Sequence, residues 1–128
     1  MKILLDTHVL LWWITDQPQL SSTARDLIGN GNNILYWSAA SSWEVSIKYA
    51  LGRLPLPASP ADFLPLELVK NRIEPLAILD AHAFRAGLLA PHHRDPFDRM
   101  LVAQALEESL TLLSNDQLLS LYDVSLQW

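Results

Sequence analysis

A chain of 128 residues that is half hydrophobic and only 18 % charged can bury a core of ordinary domain size, which excludes disorder as its description. It has no cysteine, so neither a disulfide framework nor a thiolate metal site is available to it. The net charge of −5 excludes holding nucleic acid by electrostatics alone; such a substrate would require a bound cation to supply positive charge locally.

The chain opens Met1-Lys2-Ile3-Leu4-Leu5-Asp6 and reaches an acid too early for a secretory signal. Its longest unbroken apolar run, Val9 to Ile14, has six residues, against the ~20 that a membrane helix requires. A soluble, cytoplasmic protein without membrane contact is expected. Lys2 to Leu5 reads as a short buried strand. Ser21 or Ser22 caps a helix with Ala24, Leu27 and Ile28 on one face, ended by Gly29 to Asn33. Ile34 to Trp37 is a second strand. Ser41 to Leu51 carries Trp43, Ile47, Ala50 and Leu51 at helical spacing, which predicts an apolar face, and Gly52 closes it. Prolines gather in Leu54 to Pro65, a surface connection between two halves of one domain. A helix is expected between Pro60 and Arg72, its start blurred by Pro65. Ile73 to Ile78 is a weak strand. Asp80 opens a helix with Ala81, Phe84 and Leu88 aligned, and Pro96 to Ser109 forms another with Leu101, Val102, Ala105 and Leu106 as its stripe. Thr111 to Leu113 is a strand, a short helix comes after Asp116, and Val124 to Leu126 closes the set.

No repeat interrupts this series, so a single domain over residues 1–128 is expected. Strands alternating with helices predict a parallel sheet covered on both faces. Ligands of such folds sit at the carboxyl edge of the sheet. Asp6 follows the first strand and Asp116 stands just past Thr111 to Leu113. Glu44 and Asp98 fall in the first turns of predicted helices at that same edge. Separations of 38, 54 and 18 residues thus converge on one place.

Each acid alone has a plainer reading. Ser41-Ser42-Trp43-Glu44 matches a capping box, and Asp95-Pro96-Phe97-Asp98 is a sound helix start. Asp6 and Asp116 can each cap the helix next to them in the chain. Yet Glu44 precedes Ile47 and Leu51 on the apolar flank, and Asp98 precedes Leu101 and Val102 on the buried stripe. Half-buried carboxylates are costly without partners, and this edge offers few lysines or arginines. A divalent cation is the natural partner of such a group, and oxygen-only ligands suit Mg²⁺, with Mn²⁺ as the alternative. Phosphodiester hydrolysis is the reaction such a site serves best, with one ion or with two about 3.5–4 Å apart.

The chain resembles the PIN-domain ribonucleases of the VapC type, toxins of bacterial and archaeal toxin–antitoxin pairs. The resemblance rests on Ile3-Leu4-Leu5-Asp6-Thr7-His8, on Ser38-Ala39-Ala40-Ser41-Ser42-Trp43-Glu44 with Ile47-Lys48, on His93-Arg94-Asp95-Pro96-Phe97-Asp98-Arg99 with Ala103-Gln104-Ala105, and on Ser114-Asn115-Asp116. It implies an α/β/α sandwich with a five-stranded parallel sheet in the order 3-2-1-4-5. It also implies that Asp6, Glu44, Asp98 and Asp116 are the catalytic, metal-holding quartet, with Asp6 and Asp98 foremost as direct ligands. An RNA substrate, tRNA or rRNA among the choices, a cognate antitoxin and a homodimer are its implied partners.

Other residues carry plainer expectations. Thr7 could hydrogen-bond a ligand acid but is expected rather to cap, and Asp95 is expected to be an N-cap. His8, His82, His92 and His93 have no metal-ligand spacing and are expected in structural or solvent roles. For Arg94 and Arg99, phosphate contact and pairing with Asp95 or Asp98 are equally open. Lys48 is placed for an i, i+4 pair with Glu44. Trp12 and Trp13 offer more apolar surface than one helix face needs, either core or a groove for a partner. A dehalogenase-like phosphatase would want a second Asp where His8 stands, a Rossmann domain a glycine-rich turn, and a serine hydrolase G-x-S-x-G. A metal-dependent phosphatase and a catalytically silent interaction module of the same fold remain the alternatives.

Overall fold

The computed structural model describes residues 1–128. Five strands, β1 (Lys2–Leu5), β2 (Ile34–Ser38), β3 (Ile73–Leu76), β4 (Thr111–Leu113) and β5 (Leu126–Gln127), pair in parallel in the order β3-β2-β1-β4-β5. The helices are α1 (Thr7–Ile14), α2 (Ser22–Gly29), α3 (Ala39–Ala50), α4 (Pro60–Lys70), α5 (Asp80–Leu88) and α6 (Pro96–Glu107), with a 3₁₀ helix at Gln117–Leu121. The architecture is the expected three-layer sandwich in the expected strand order.

Alternation within the strands separates two cores. Ile3 and Leu5 of β1 turn to one face, with Leu35, Trp37 and Leu113, against Val9 and Leu10 of α1, Ala24 and Ile28 of α2 and Leu64 of α4. Leu4 turns to the other face with Leu112, against Leu101, Val102 and Ala105 of α6. Ile3, Leu4 and Leu5 of β1 are fully buried, as a central parallel strand demands. No helix is long and apolar enough to cross a membrane.

Helix faces depart from the sequence pattern. α3 starts at Ala39, not Ser41, because the Ser38 hydroxyl accepts the Ala40 N–H at 3.0 Å and acts as N-cap. Glu44 therefore lies in the second turn, outside any capping box. The face of α3 turned inward is Ala40, Ser41, Glu44 and Val45, whereas Trp43 is 63 % exposed and Leu51 60 %. Small side chains let the helix approach its neighbours, and the larger apolar ones are left outside. On α5 the aligned Phe84 and Leu88 also face out, and His82 is the fully buried residue. His82 Nδ1 accepts the Leu79 N–H at 3.0 Å and Nε2 lies 2.8 Å from Glu108, so the ring is a structural bolt between α5 and the end of α6.

Element ends shift for local reasons. α6 stops at Glu107 because Ser109 takes a left-handed φ of 54°. β3 ends at Leu76, opposite Ser38 at the end of β2, and β5 is confined to Leu126 and Gln127, opposite Leu112 and Leu113 of β4. Gly52, at φ 71°, closes α3 in the conformation that suits a residue without a β-carbon. The proline-rich segment joins α3 to α4, which begins inside it at Pro60 behind Ser59 and continues through Pro65.

Candidate active site

The carboxyl ends of β1, β2 and β4 lie side by side, and the turn after each strand leads into a helix. Asp6 follows β1 and is the N-cap of α1, its Oδ1 accepting the Thr7 N–H at 2.7 Å. Its Oδ2 accepts the Ser114 hydroxyl at 2.6 Å, which ties it to the end of β4. The same Ser114 oxygen accepts the Asp116 N–H at 3.1 Å, and Asp116 Oδ1 accepts the Leu118 N–H at 3.0 Å as cap of the 3₁₀ helix. Asp98 is held in the first turn of α6. There Asp95 Oδ1, the expected N-cap, accepts the Phe97 N–H at 2.8 Å and the Asp98 N–H at 3.2 Å, with Pro96 in the position that needs no donor.

Glu44 reaches the edge from α3. The Thr7 hydroxyl donates to Glu44 Oε1 at 2.6 Å and lies 2.9 Å from Ser41 Oγ, so Thr7 is a partner of the acid and not the cap expected of it. Lys48 Nζ meets Glu44 Oε2 at 2.6 Å as the i, i+4 spacing predicts. Both Glu44 oxygens are thereby occupied.

The tightest grouping includes a residue the spacing rules set aside. His93, Asp98 and Asp116 each present a ligand atom within 4.8 Å of the others. His93 Nε2 lies 2.7 Å from Asp116 Oδ2 and 3.2 Å from Asp98 Oδ2. The remaining histidines lie elsewhere: His8 is exposed with its ring against Trp12, and His92 is exposed against Tyr122. Arg99 pairs with neither Asp95 nor Asp98. It donates to the carbonyls of Ala86, Leu89 and Ala90 at 2.8, 3.0 and 3.0 Å and so fixes the loop that carries His93. Arg94 is exposed and pairs with neither Asp95 nor Asp98.

The charges are unbalanced. Burial raises the Asp6 carboxyl above its ordinary value, against the opposing hydrogen bonds from Ser114 and Thr7. Burial, followed by the neighbouring charges of Asp6 and Asp95, pushes Asp98 up to about 7, with His93 opposing. No lysine or arginine pairs with Asp6, Asp98 or Asp116; the one cation in the site belongs to Glu44. An oxygen-rich donor set with excess negative charge, held partly out of water, fits a hard divalent cation.

Two surfaces adjoin the acids. Trp43 and Phe97, the residues just before Glu44 and Asp98, meet edge to face at 5.3 Å between ring centres. Beside α1, a cavity of about 220 Å³ is lined by His8, Leu11, Trp12, Ile14, Phe63 and the Leu54 to Pro57 turn. Trp12 therefore faces a groove, while the Trp13 indole N–H donates to Asn71 at 3.0 Å.

Residues 3–124 match the PIN domain family. Ribonuclease VapC16 of Mycobacterium tuberculosis is 35 % identical over 69 residues, which cover 51 % of this chain and 49 % of that protein. The chain thus spans about half the length of the curated relative it matches. The fold is similar to that in the VapBC2 complex of Rickettsia felis bound to a promoter DNA fragment, with a TM-score of 0.72, 18 % identity, and 99 % and 98 % of the two chains covered. It is also similar to FitAcB from Neisseria gonorrhoeae, with a TM-score of 0.62, 21 % identity, and 97 % and 95 % covered. With a match that takes in β1 through the 3₁₀ helix and every acid of the edge, this chain belongs to the PIN domain family.

Proposed function

We propose that this protein is a divalent-metal-dependent endoribonuclease and acts as the VapC-type toxin of a toxin–antitoxin pair. The observation that carries the reading is the uncompensated carboxylate cluster, with Asp98 held up to about 7 by burial and by Asp6 and Asp95. Asp6, Glu44, Asp98 and Asp116 are the residues that would hold Mg²⁺ or Mn²⁺. When bound, the ion supplies positive charge to the scissile phosphate and to the leaving oxygen. The chain's own part is placement. Ser114 and the Thr7 N–H fix Asp6, Thr7 and Lys48 fix Glu44, and the Asp95 cap aims Asp98. This arrangement also reconciles a nucleic-acid substrate with a net charge of −5.

RNA is favoured as substrate by the ribonuclease name of the curated relative and by the Trp43–Phe97 surface, on which an unpaired base of a tRNA or rRNA loop would stack. An antitoxin partner is supported by the similar fold in the VapBC2 complex of Rickettsia felis and in a toxin–antitoxin complex from Klebsiella pneumoniae. The groove beside Trp12 and the outward-facing Trp43, Phe84 and Leu88 are apolar enough for an antitoxin and for a second copy in a homodimer. Cleavage of RNA by chelator-treated protein, measured as Mg²⁺ or Mn²⁺ is restored, tests the reading. Metal-dependent cutting that disappears in Asp98→Asn is expected; cutting in excess chelator would overturn it.

A further inference from the structure

His93 lies among carboxylates but its chemistry there differs from theirs. Its loop is fixed on both sides before the ring is placed. Arg99 holds the carbonyls of Ala86, Leu89 and Ala90. The His93 backbone N–H donates to Tyr122 Oη at 3.0 Å, and that hydroxyl donates to Ala90 O at 2.7 Å. Tyr122 comes just after the 3₁₀ helix that Asp116 caps, so the loop is anchored to the very segment that carries its acid.

The ring orientation decides what Nε2 can do. His93 Nδ1 accepts the backbone N–H of Asp95 at 3.1 Å, a local bond closed within the turn that also caps α6. A nitrogen that accepts a hydrogen bond carries no proton, so the proton of the neutral imidazole resides on Nε2. A ligating histidine needs the opposite arrangement, with its bare nitrogen toward the ion and the protonated one toward an acceptor. Here the Nε2–H points at Asp116 Oδ2, 2.7 Å away, with Asp98 Oδ2 at 3.2 Å.

We propose that His93 is a positioning residue of the acidic site, donating its Nε2–H to Asp116 and Asp98 and standing outside the metal's coordination sphere. The inference rests on the metal-dependent function proposed for this chain. By bridging the two acids, His93 holds side chains from the end of β4 and from α6 at a fixed separation before any ion arrives. It lowers the cost of bringing two like charges together and leaves oxygen atoms as the only ligands.

Three measurements on the full chain test this. Long-range ¹H–¹⁵N correlation of the metal-free protein is expected to find His93 protonated on Nε2 alone; a proton on Nδ1 overturns the proposal. Pulsed electron paramagnetic resonance of the Mn²⁺-loaded protein is expected to lack the coupling of a directly bound imidazole nitrogen; such coupling, absent in His93→Gln, overturns it. His93→Ala is expected to weaken Mn²⁺ binding roughly 10–100-fold, as loss of a partner behind metal ligands does. His93→Gln, which carries an N–H at the reach of Nε2, is expected to recover most of that. Equal losses in His93→Ala and His93→Gln, with unfolding temperatures unchanged, overturn it as well. Absence of Mn²⁺ binding in the unaltered protein would instead remove the metal reading, and this inference with it.

Discussion

The two sides of the acidic edge are built on different terms. On the α3 side, Glu44 is buried but complete: Thr7 donates to one oxygen and Lys48 meets the other. On the α6 side, Asp98 faces Asp6, Asp95 and Glu44 with only the shared Nε2–H of His93 in return. One carboxylate is balanced by the protein itself, and the other is left with excess negative charge, which the proposed function assigns to a cation. The difference teaches that, under the proposed function, Glu44 is held ready by the protein whereas Asp98 depends on the ion for its balancing charge.

The comparison is broken most severely at Asp98. Asp98→Asn keeps the size and the helix start but removes the charge, and kcat/KM for RNA cleavage is expected to fall on the order of 10³-fold, equivalent to several kcal/mol of transition-state stabilisation. Asp98→Asn should leave the unfolding temperature of the metal-free protein unchanged or raised, because the burdened charge is gone.

Acidity separates the sides next. A carboxyl raised from 3.8 to about 7 on folding binds protons more tightly in the native state. Its contribution to stability is therefore whole below its unfolded value and is lost as pH rises from about 4 through 7. Asp6, raised by burial, acts in the same direction. The metal-free protein is expected to melt at a higher temperature near pH 5 than near pH 8, and added Mg²⁺ should restore more stability at pH 8. A flat or inverted profile in thermal scans would count against an uncompensated Asp98.

Lys48→Met sharpens the contrast by unbalancing the finished side. With Glu44 left buried beside Thr7 alone, a loss of roughly 1–2 kcal/mol is expected, below the full value for a buried pair because Lys48 is partly exposed. Mn²⁺ should recover part of that loss, because Glu44 is one of the residues proposed to hold the ion. Trp43→Ala should do least, raising KM for RNA about five-fold without changing stability, as the loss of one exposed stacking surface does.

Much of this was legible in the residues. Parallel strands buried on both faces announce themselves as apolar runs, and Asp95-Pro96 marks the start of α6 because a proline at that point and an acid before it have no competing use. Which side of α3 and α5 turns inward was not legible. Helical spacing reports that Trp43, Ile47 and Leu51, or Phe84 and Leu88, share a face, but small residues and a buried His82 bring these helices closer to their neighbours. Thr7 reads from sequence as a cap in preference to a partner of the acids, and Ser114 and His93 were missed as such partners, for another reason. Their contacts span 37, 108 and 23 residues of sequence, and no periodicity encodes a meeting across strands. The signal for His93 lay in its position two residues before a firm helix cap, which fixes the turn that presents it.

The most direct test of the proposed cation site is calorimetric titration of Mn²⁺ into chelator-stripped protein near pH 7, repeated in buffers of different ionisation enthalpy. Binding is expected to release protons, because the Asp98 carboxyl, pushed up to about 7, is partly protonated beforehand, and the release should vanish near pH 9 and in Asp98→Asn. Binding without proton release at pH 7, or binding that Asp98→Asn leaves untouched, would contradict the account.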